Sequence, residues 1–199
     1  MMEQELMQSI SVGKEATSKT TALVLAGITG GIGLAITAVC IPFVAPGFRR
    51  ICLPYVPATT EQVKNILQAL KGRSGSLIDI GSGDGRIVVA AAKAGFQAHG
   101  VELNRWLVYY SRIFALAQGL SSKTYFFKKN LWKFNLNKYD NVVIFGVEEM
   151  MDELQEKFKS ELKPNCSIVV CRFPLPNYKP IVIIGEGVDA VWVYETPLK

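Results

Sequence analysis

The sequence is poor in the side chains that bind metal ions. It contains one histidine, His99, and its four cysteines, Cys40, Cys52, Cys166 and Cys171, form no CxxC pair. Protein zinc sites are built from cysteine and histidine ligands at such short spacings. The sequence therefore predicts no metal site, and thiols within apolar runs behave as small hydrophobic side chains.

Charged residues are missing from one long stretch, which runs over residues 20–48. As an α-helix, residues 21–41 would extend about 31 Å, which is enough to cross the hydrocarbon core of a bilayer. Pro42 and Pro46 would end that helix, and the Arg49-Arg50 pair would supply a basic stop at the interface. This stretch therefore predicts one transmembrane helix.

The composition divides the chain into three parts. Residues 1–20 are polar and of mixed charge, unlike the basic start of a secretory signal or an Arg-rich transit peptide. Residues 21–48 form the predicted membrane anchor, and residues 51–199 have the composition of a soluble α/β domain. The net charge of +5 is scattered along the chain, which argues against a nucleic-acid groove.

Strand and helix patterns alternate in the domain at 51–199. Apolar residues at regular spacing, capping residues and glycine breaks delimit them. Such alternation predicts a parallel sheet with helices on both faces and ligands at the carboxyl ends of the strands. We expect helices over residues 61–70, 86–94, 106–118 and 149–162, and strands over residues 76–80, 97–101, 124–127, 142–145, 167–171, 181–184 and 190–194.

A glycine-rich loop follows the first strand, in the run Asp79-Ile80-Gly81-Ser82-Gly83-Asp84-Gly85. Glycines allow a tight turn in which backbone amides at a helix start approach a polar or negative ligand. A dinucleotide fingerprint GxGxxG/A starting at Gly81 needs Gly or Ala at position 86, where this chain has Arg86. The GxGxG spacing instead resembles the first motif of S-adenosylmethionine-dependent methyltransferases, which have a Rossmann-like seven-stranded sheet.

Two further polar positions fit a nucleoside cofactor. Glu102 ends the second strand, where its carboxylate can accept hydrogen bonds from two ribose hydroxyls. Asn130 follows the third strand, where such enzymes commonly have Asp, and its carboxamide oxygen can accept from an adenine amino group. We predict S-adenosylmethionine as the cofactor, bound by Asp79, Gly81, Ser82, Gly83, Asp84, Gly85, Glu102, Asn130 and Leu131.

Further motifs lie along most of the chain. They are the segments Cys52–Thr60, Asp79–Arg86, Gly100–Asn104, Val142–Val147, Cys171–Pro174 and Gly185–Gly187. Together they resemble the mitochondrial protein-lysine methyltransferases that modify the ATP synthase c subunit or the adenine nucleotide translocase. The c-subunit enzymes are the nearer likeness, through Phe145-Gly146-Val147 and Met150-Met151.

This resemblance implies a protein substrate and a location. The substrate would be the c subunit, with the translocase as second choice, and the product would be a trimethylated lysine. The enzyme would reside in the inner mitochondrial membrane, with its catalytic domain facing the matrix.

Methyl transfer to lysine needs a neutral amine, whose unperturbed pKa is about 10.4. An apolar or aromatic channel favours the neutral form by desolvation. Tyr55, Trp132 and Phe145 are its predicted lining, and core packing is the alternative role of the last two. Glu148 is predicted to steer the lysine or accept its proton, or else to be a solvated residue at a helix start. Tyr55 and Glu148 are thus the catalytic candidates, and no base is identified.

Two motifs of other methyltransferases are absent. The chain has neither an Asn/Asp-Pro-Pro-Tyr motif, which acts on adenine amino groups of nucleic acid, nor the Pro-Cys nucleophile of cytosine chemistry. A protein lysine or a small-molecule amine remains as acceptor. The alternatives to a protein methyltransferase are a membrane-tethered small-molecule methyltransferase and a non-catalytic assembly factor, and retention of Asp79 and Glu102 argues against the second.

Overall fold

The computed structural model describes three parts of the chain, namely residues 21–37, residue 40 and residues 56–198. The chain divides into two compact units, over residues 1–48 and 49–199. The smaller unit contains one described helix, and the larger unit contains the sheet.

The smaller unit is helical where the structure describes it. Helix α1 spans residues 21–37, and its side chains are exposed. The hydroxyls of Thr29 and Thr37 donate hydrogen bonds to backbone carbonyls one turn earlier, at 2.9 and 2.8 Å. Among the described residues, no helix has both the length and the apolar character needed to cross a membrane. The predicted polar segment at 1–20 and part of the predicted anchor at 21–48 lie outside the described residues.

Within residues 56–198, the chain forms four α-helices and seven strands. The helices are α2 (Thr60–Ala69), α3 (Arg86–Lys93), α4 (Arg105–Ala117) and α5 (Met151–Glu161). The strands are β1 (Ser76–Ile80), β2 (Gln97–Glu102), β3 (Thr124–Lys128), β4 (Asn141–Phe145), β5 (Ser167–Cys171), β6 (Val182–Ile184) and β7 (Val191–Glu195). Each predicted element is present with small shifts at its ends. The predicted helix start at 149 is a 3-10 turn, Glu148–Met150, which precedes α5.

The strands form one mixed sheet in the order β3-β2-β1-β4-β5-β7-β6. The first five strands in that order are mutually parallel. Strand β7 is antiparallel to both β5 and β6. The parallel order predicted from the alternation therefore extends over β1 to β5, and β6 and β7 pair with each other to close the sheet. The chain order reverses between β1 and β4, and open α/β sheets bind ligands outside the carboxyl ends of their strands at such a point.

Both faces of the sheet are buried against helices. On one face, Leu77 packs in a core with α2, α3 and α4, and on the other face Ile78 packs in a core with α5. Residues that follow one another in a strand point to opposite faces, which divides β1 between the two cores. A sheet covered on both sides places the ends of its strands rigidly, and those ends carry the site.

Helix α2 starts at a threonine cap, as predicted. Thr59 Oγ1 accepts a hydrogen bond from the Gln62 backbone amide at 3.0 Å. The buried amide side chains of Gln62 and Asn65 donate to the carbonyl oxygens of Val188 and Asp189, each at 3.0 Å. These bonds attach α2 to the segment before β7, at the same edge of the sheet as the glycine loop.

Candidate functional site

The glycine loop makes a tight turn between β1 and α3. The backbone amides of Gly81 and Ser82 both donate to the carbonyl oxygen of Val101 on β2, at 2.8 and 3.1 Å. Gly81 and Gly85 have φ angles of +77° and +81°, in the left-handed region that favours glycine. The loop is therefore fixed against the neighbouring strand and leads directly into the first turn of α3.

Gly85 is packed too closely for a side chain. A Cβ atom there would lie 2.8 Å from the Phe126 ring and 2.9 Å from Ser111 Cβ, whereas a Cβ at Gly81 would meet nothing within 4 Å. Both glycines have a similar φ, so Gly81→Ala is the matched control for backbone strain. We expect Gly85→Ala to lower the free energy of unfolding, measured in urea, by about 1–3 kcal/mol more than Gly81→Ala does. Equal losses would contradict this account of the packing.

Asp79 is a buried acid without a partner. Its side chain on β1 is 1% exposed, and within the described residues neither carboxylate oxygen has a hydrogen-bond partner. Burial first, then the nearby charges of Glu102 and Asp84, raise the pKa of Asp79 from its ordinary value of 3.8 to about 8. The protein therefore holds this acid in its neutral form at neutral pH when no cation is close.

A positively charged ligand would compensate for the burial of Asp79. A cation beside a carboxylate favours the ionised form, and strongly perturbed acids are common in functional sites. The methionine part of S-adenosylmethionine carries an ammonium group that meets this need. The partnerless carboxylate of Asp79 therefore fits the predicted cofactor.

Glu102 ties the end of β2 to the glycine loop. Its Oε2 accepts from the Gly83 backbone amide at 3.1 Å, and its Oε1 accepts from the Asn104 backbone amide at 2.8 Å. A carboxylate has about four acceptor positions, so each oxygen keeps one for a ribose hydroxyl. Glu102 thus shapes the loop and can hold the sugar, in the place predicted from the sequence.

The other acid of the loop, Asp84, has a structural partner. Its Oδ2 lies 2.7 Å from Nη2 of Arg86 in an ion pair, and the Arg86 guanidinium also donates to the carbonyl oxygen of Ala58. These contacts attach the start of α3 to the segment before α2. Ser82 is buried, and its hydroxyl has no partner within the described residues. The predicted contacts of Asp84 and Ser82 with the cofactor stay predictions.

The segment after β3 lies beside Glu102, because the Lys129 amide donates to the Glu102 carbonyl oxygen at 3.1 Å. Asn130 caps the 3-10 turn Leu131–Lys133 by accepting from the Trp132 amide at 3.0 Å. This bond uses one of the two acceptor positions of the carboxamide oxygen, and the other remains for an adenine amino group. Leu131 and Trp132 are half-buried against the core that contains α5, so Trp132 takes part in core packing.

The structure brings together only some of the residues that are predicted to contact the acceptor lysine. Phe145 ends β4 and is half-buried, and Glu148 is exposed in the turn that follows it. Both lie at the carboxyl edge of the sheet, beside the glycine loop. Tyr55 lies outside the described residues, so its predicted place in the channel stays a prediction.

Two residues of this edge lie in motifs identified in the sequence, but sequence reasoning gave them no role. Asn104 caps α4 by accepting from the Trp106 amide at 3.0 Å, and an asparagine directly before a helical run is a recognisable signal. Arg172 has a φ of +74°, and its guanidinium lies 5.5 Å from the centre of the Phe145 ring. No sequence pattern signals an arginine in the left-handed region.

The same fold occurs in solved methyltransferases. An RNA methyltransferase from Salinibacter ruber, solved in complex with S-adenosyl-L-homocysteine, is 25% identical with a TM-score of 0.67, over 71% of this chain and 94% of that one. The ribosomal protein L11 methylase from Lactobacillus delbrueckii subsp. bulgaricus is 16% identical with a TM-score of 0.58, over 69% and 78%. Fold and site together define an S-adenosylmethionine-dependent methyltransferase.

Sequence comparisons narrow this class to one family. Residues 79–182 match the ANTKMT methyltransferase domain, and residues 17–49 match the N-terminal domain of the lysine N-methyltransferases of the ATP synthase c subunit. The enzymes of that name from Xenopus laevis and Homo sapiens are 53% and 51% identical, over 94% and 86% of this chain and 82% and 73% of their own lengths.

A related enzyme is named for a second substrate. The adenine nucleotide translocase lysine N-methyltransferase of Mus musculus is 42% identical, over 83% of this chain and 74% of its own length. The chain belongs to this family of protein-lysine N-methyltransferases, which confirms the resemblance seen in the sequence.

Proposed function

We propose that this chain transfers methyl groups from S-adenosylmethionine to a lysine of the ATP synthase c subunit, up to the trimethylated state. One observation carries the choice of substrate: the relatives named for that activity are 53% and 51% identical across most of the chain. The translocase is the second choice, because the relative named for it is 42% identical. Asp79 and Glu102 support turnover and argue against a non-catalytic assembly factor.

The proposal includes a membrane anchor at residues 21–48 and residence in the inner mitochondrial membrane. The absence of charge over residues 20–48 supports the anchor, as does the match of residues 17–49 to the N-terminal domain of c-subunit enzymes. The catalytic domain, residues 51–199, would face the matrix. The acceptor would then be a lysine exposed on that side.

The residues of the site divide between cofactor and acceptor. When bound, the cofactor supplies an electrophilic methyl group on a sulfonium. Asp79 would hold its ammonium group and Glu102 its ribose, which would leave the ends of β4 and β5 to the acceptor. Methyl transfer is an in-line displacement, so much of its rate comes from holding the two reactants in place.

The acceptor amine must be neutral when it reaches the methyl group. The half-buried ring of Phe145 provides an apolar surface that favours the neutral form by desolvation. Glu148 is exposed at the same edge. Its carboxylate can steer the cationic lysine, or accept the proton that the lysine loses before it attacks the methyl group.

Mitochondria that lack this chain provide the test. Mass spectrometry of the c subunit is expected to find the lysine unmethylated there and trimethylated once the wild-type chain is restored. Asp79→Asn keeps the size of the side chain and is expected to leave the lysine unmethylated. Glu153→Gln, which removes an exposed acid on α5, is the matched control and is expected to restore trimethylation of the lysine.

The other outcomes separate the alternatives. Loss of methylation on the translocase alone would favour the second substrate. Transfer of labelled methyl only to a small amine, with the c subunit unchanged, would contradict a protein acceptor.

A further inference from the structure

Arg172 has a backbone conformation that is costly for its side chain. It directly follows β5 and has a φ of +74°, a left-handed value that few non-glycine residues adopt. Among the described residues, the other non-glycine residue with a positive φ is Asn165, and asparagine is comparatively common there. Strained positions of this kind cluster at functional sites, where the surrounding structure holds them. The strain at Arg172 therefore points to a function for the side chain that it places.

The guanidinium of Arg172 lies over the Phe145 ring at the carboxyl edge of the sheet. It lies 5.5 Å from the centre of the Phe145 ring, within the range of a cation–π contact. Phe145 is opposite Cys171 in the register of β4 and β5, so ring and guanidinium lie together where these strands end. Within the described residues, no carboxylate forms an ion pair with Arg172. The contact with the ring restricts the position of the Arg172 guanidinium, and so of its positive charge.

The sheet order places this charge beside the acceptor. Asp79 lies near the end of β1, Glu102 ends β2 and Asn130 follows β3, so the cofactor would occupy that half of the edge. The order reverses between β1 and β4, and the acceptor must then approach over the ends of β4 and β5. Phe145 and Arg172 stand at those two ends.

We propose that Arg172 forms one wall of the acceptor site and keeps the acceptor lysine neutral by holding a positive charge next to its amine. The inference rests on the proposed function, since it concerns the same transfer to lysine. A like charge close to an amine lowers the pKa of that amine, and a neighbouring cation is a known way to activate lysines. The effect of Arg172 adds to that of the positively charged cofactor.

Acidic groups at the same edge would raise the pKa of the acceptor amine, against the effect of Arg172. The acids on the segments at this edge are Asp79, Asp84, Glu102, Glu148, Glu149, Glu186 and Asp189, and Asp84 is paired with Arg86. Glu148, Glu149 and Glu186 are exposed, so water and salt screen their charges. Asp189 accepts a hydrogen bond from Thr59, and Asp79 and Glu102 serve the cofactor. Arg172 is half-buried, so its charge is screened less.

The pH profile of methyl transfer by the full chain tests this role. The turnover number kcat is measured with saturating c subunit from neutral to alkaline pH, because its pH profile reports groups in the enzyme–substrate complex. It should rise as the bound amine loses its proton. We expect Arg172→Gln and Arg172→Gly to move that rise upward by about one pH unit. This shift lowers kcat about tenfold near neutral pH, and the loss disappears at alkaline pH. Arg172→Lys keeps the charge and should restore most of the profile.

Two variants separate the charge from folding and from net charge. Arg172→Gly relieves the left-handed strain, so it should fold at least as stably as the wild type while still showing the shifted profile. Lys159→Gln removes an exposed positive charge on α5 and is expected to leave the profile unchanged. All of these variants should bind S-adenosylmethionine with wild-type affinity.

Three results would overturn the inference, and they are distinguishable. An unmoved profile in Arg172→Gln and Arg172→Gly would show that the charge does not act on the amine. Weakened S-adenosylmethionine binding with an unmoved profile would assign the guanidinium to the cofactor. A wild-type chain that methylates no lysine of the c subunit would defeat the proposed function, and this inference with it.

Discussion

Asp79→Asn is expected to abolish tight binding of S-adenosylmethionine while making the cofactor-free domain more stable above neutral pH. The amide keeps the shape of the side chain and removes the charge that faces the cofactor's ammonium group. Loss of one partner from a buried, hydrogen-bonded charge pair costs about 2–5 kcal/mol, which corresponds to a loss of affinity between about 30-fold and several thousand-fold. Calorimetric titration of both proteins measures this loss.

The stability effect follows from the raised pKa of Asp79. That pKa is about 8 in the folded protein against an ordinary value of 3.8. Between these values the unfolded chain has lost the proton and the folded chain retains it, so the stability of the wild type falls as pH rises from about 4 to about 8. Asparagine does not titrate, so the stability of the variant does not fall with pH for this reason.

Thermal unfolding of the two cofactor-free proteins at pH 5 and pH 8 checks the sign. The midpoint of the variant, relative to the wild type, should be higher at pH 8 than at pH 5, by roughly 5 °C or more. Parallel pH dependence of the two proteins would mean that Asp79 is not held neutral.

Glu102→Ala is the second change with a large expected effect. It removes the acceptor for the ribose hydroxyls and also releases the backbone amides of Gly83 and Asn104. Hydrogen bonds to charged groups contribute about 1.5–3 kcal/mol each, so loss of the sugar contacts should weaken S-adenosylmethionine binding by about 100-fold. Glu102→Gln keeps one acceptor oxygen and should lose less.

The controls for Glu102 test the type of cofactor. The wild-type chain should bind S-adenosylmethionine and not a nicotinamide dinucleotide, since Arg86 stands where the dinucleotide fingerprint needs a small residue. If Glu102→Ala binds S-adenosylmethionine with wild-type affinity, Glu102 does not contact the cofactor.

Most of the fold could be predicted because its central strands β1, β4 and β5 are buried on both faces. The bounds of β1 and β5 agree with the prediction, since each is an apolar run that ends at a clear change of composition. The pairing of β7 with β5 could not be predicted from side-chain alternation, which is the same in parallel and antiparallel pairs. The short connection from β6 to β7 does favour an antiparallel pair. The start of α5 was misplaced because Glu148–Met150 forms a 3-10 turn first.

The site was predictable in its positions and not in its electrostatics. The spacing of the glycines and the acid at the end of β2 located Asp79 and Glu102. The lack of a partner for Asp79 depends on how α3 and the neighbouring strands enclose it, which no local pattern records. The contact of Arg172 with Phe145 depends in the same way on the pairing of β4 with β5.

The cofactor must bring its positive charge to the neutral, buried Asp79, and the most direct test is proton release during binding. Calorimetric titration of S-adenosylmethionine into the full chain at pH 7, in buffers of different ionisation enthalpy, measures the number of protons exchanged. Binding should ionise Asp79 and release close to one proton, and this release should be missing from whatever weak binding Asp79→Asn retains. Tight binding without proton release, or equal release by both proteins, would contradict the role given to this carboxylate.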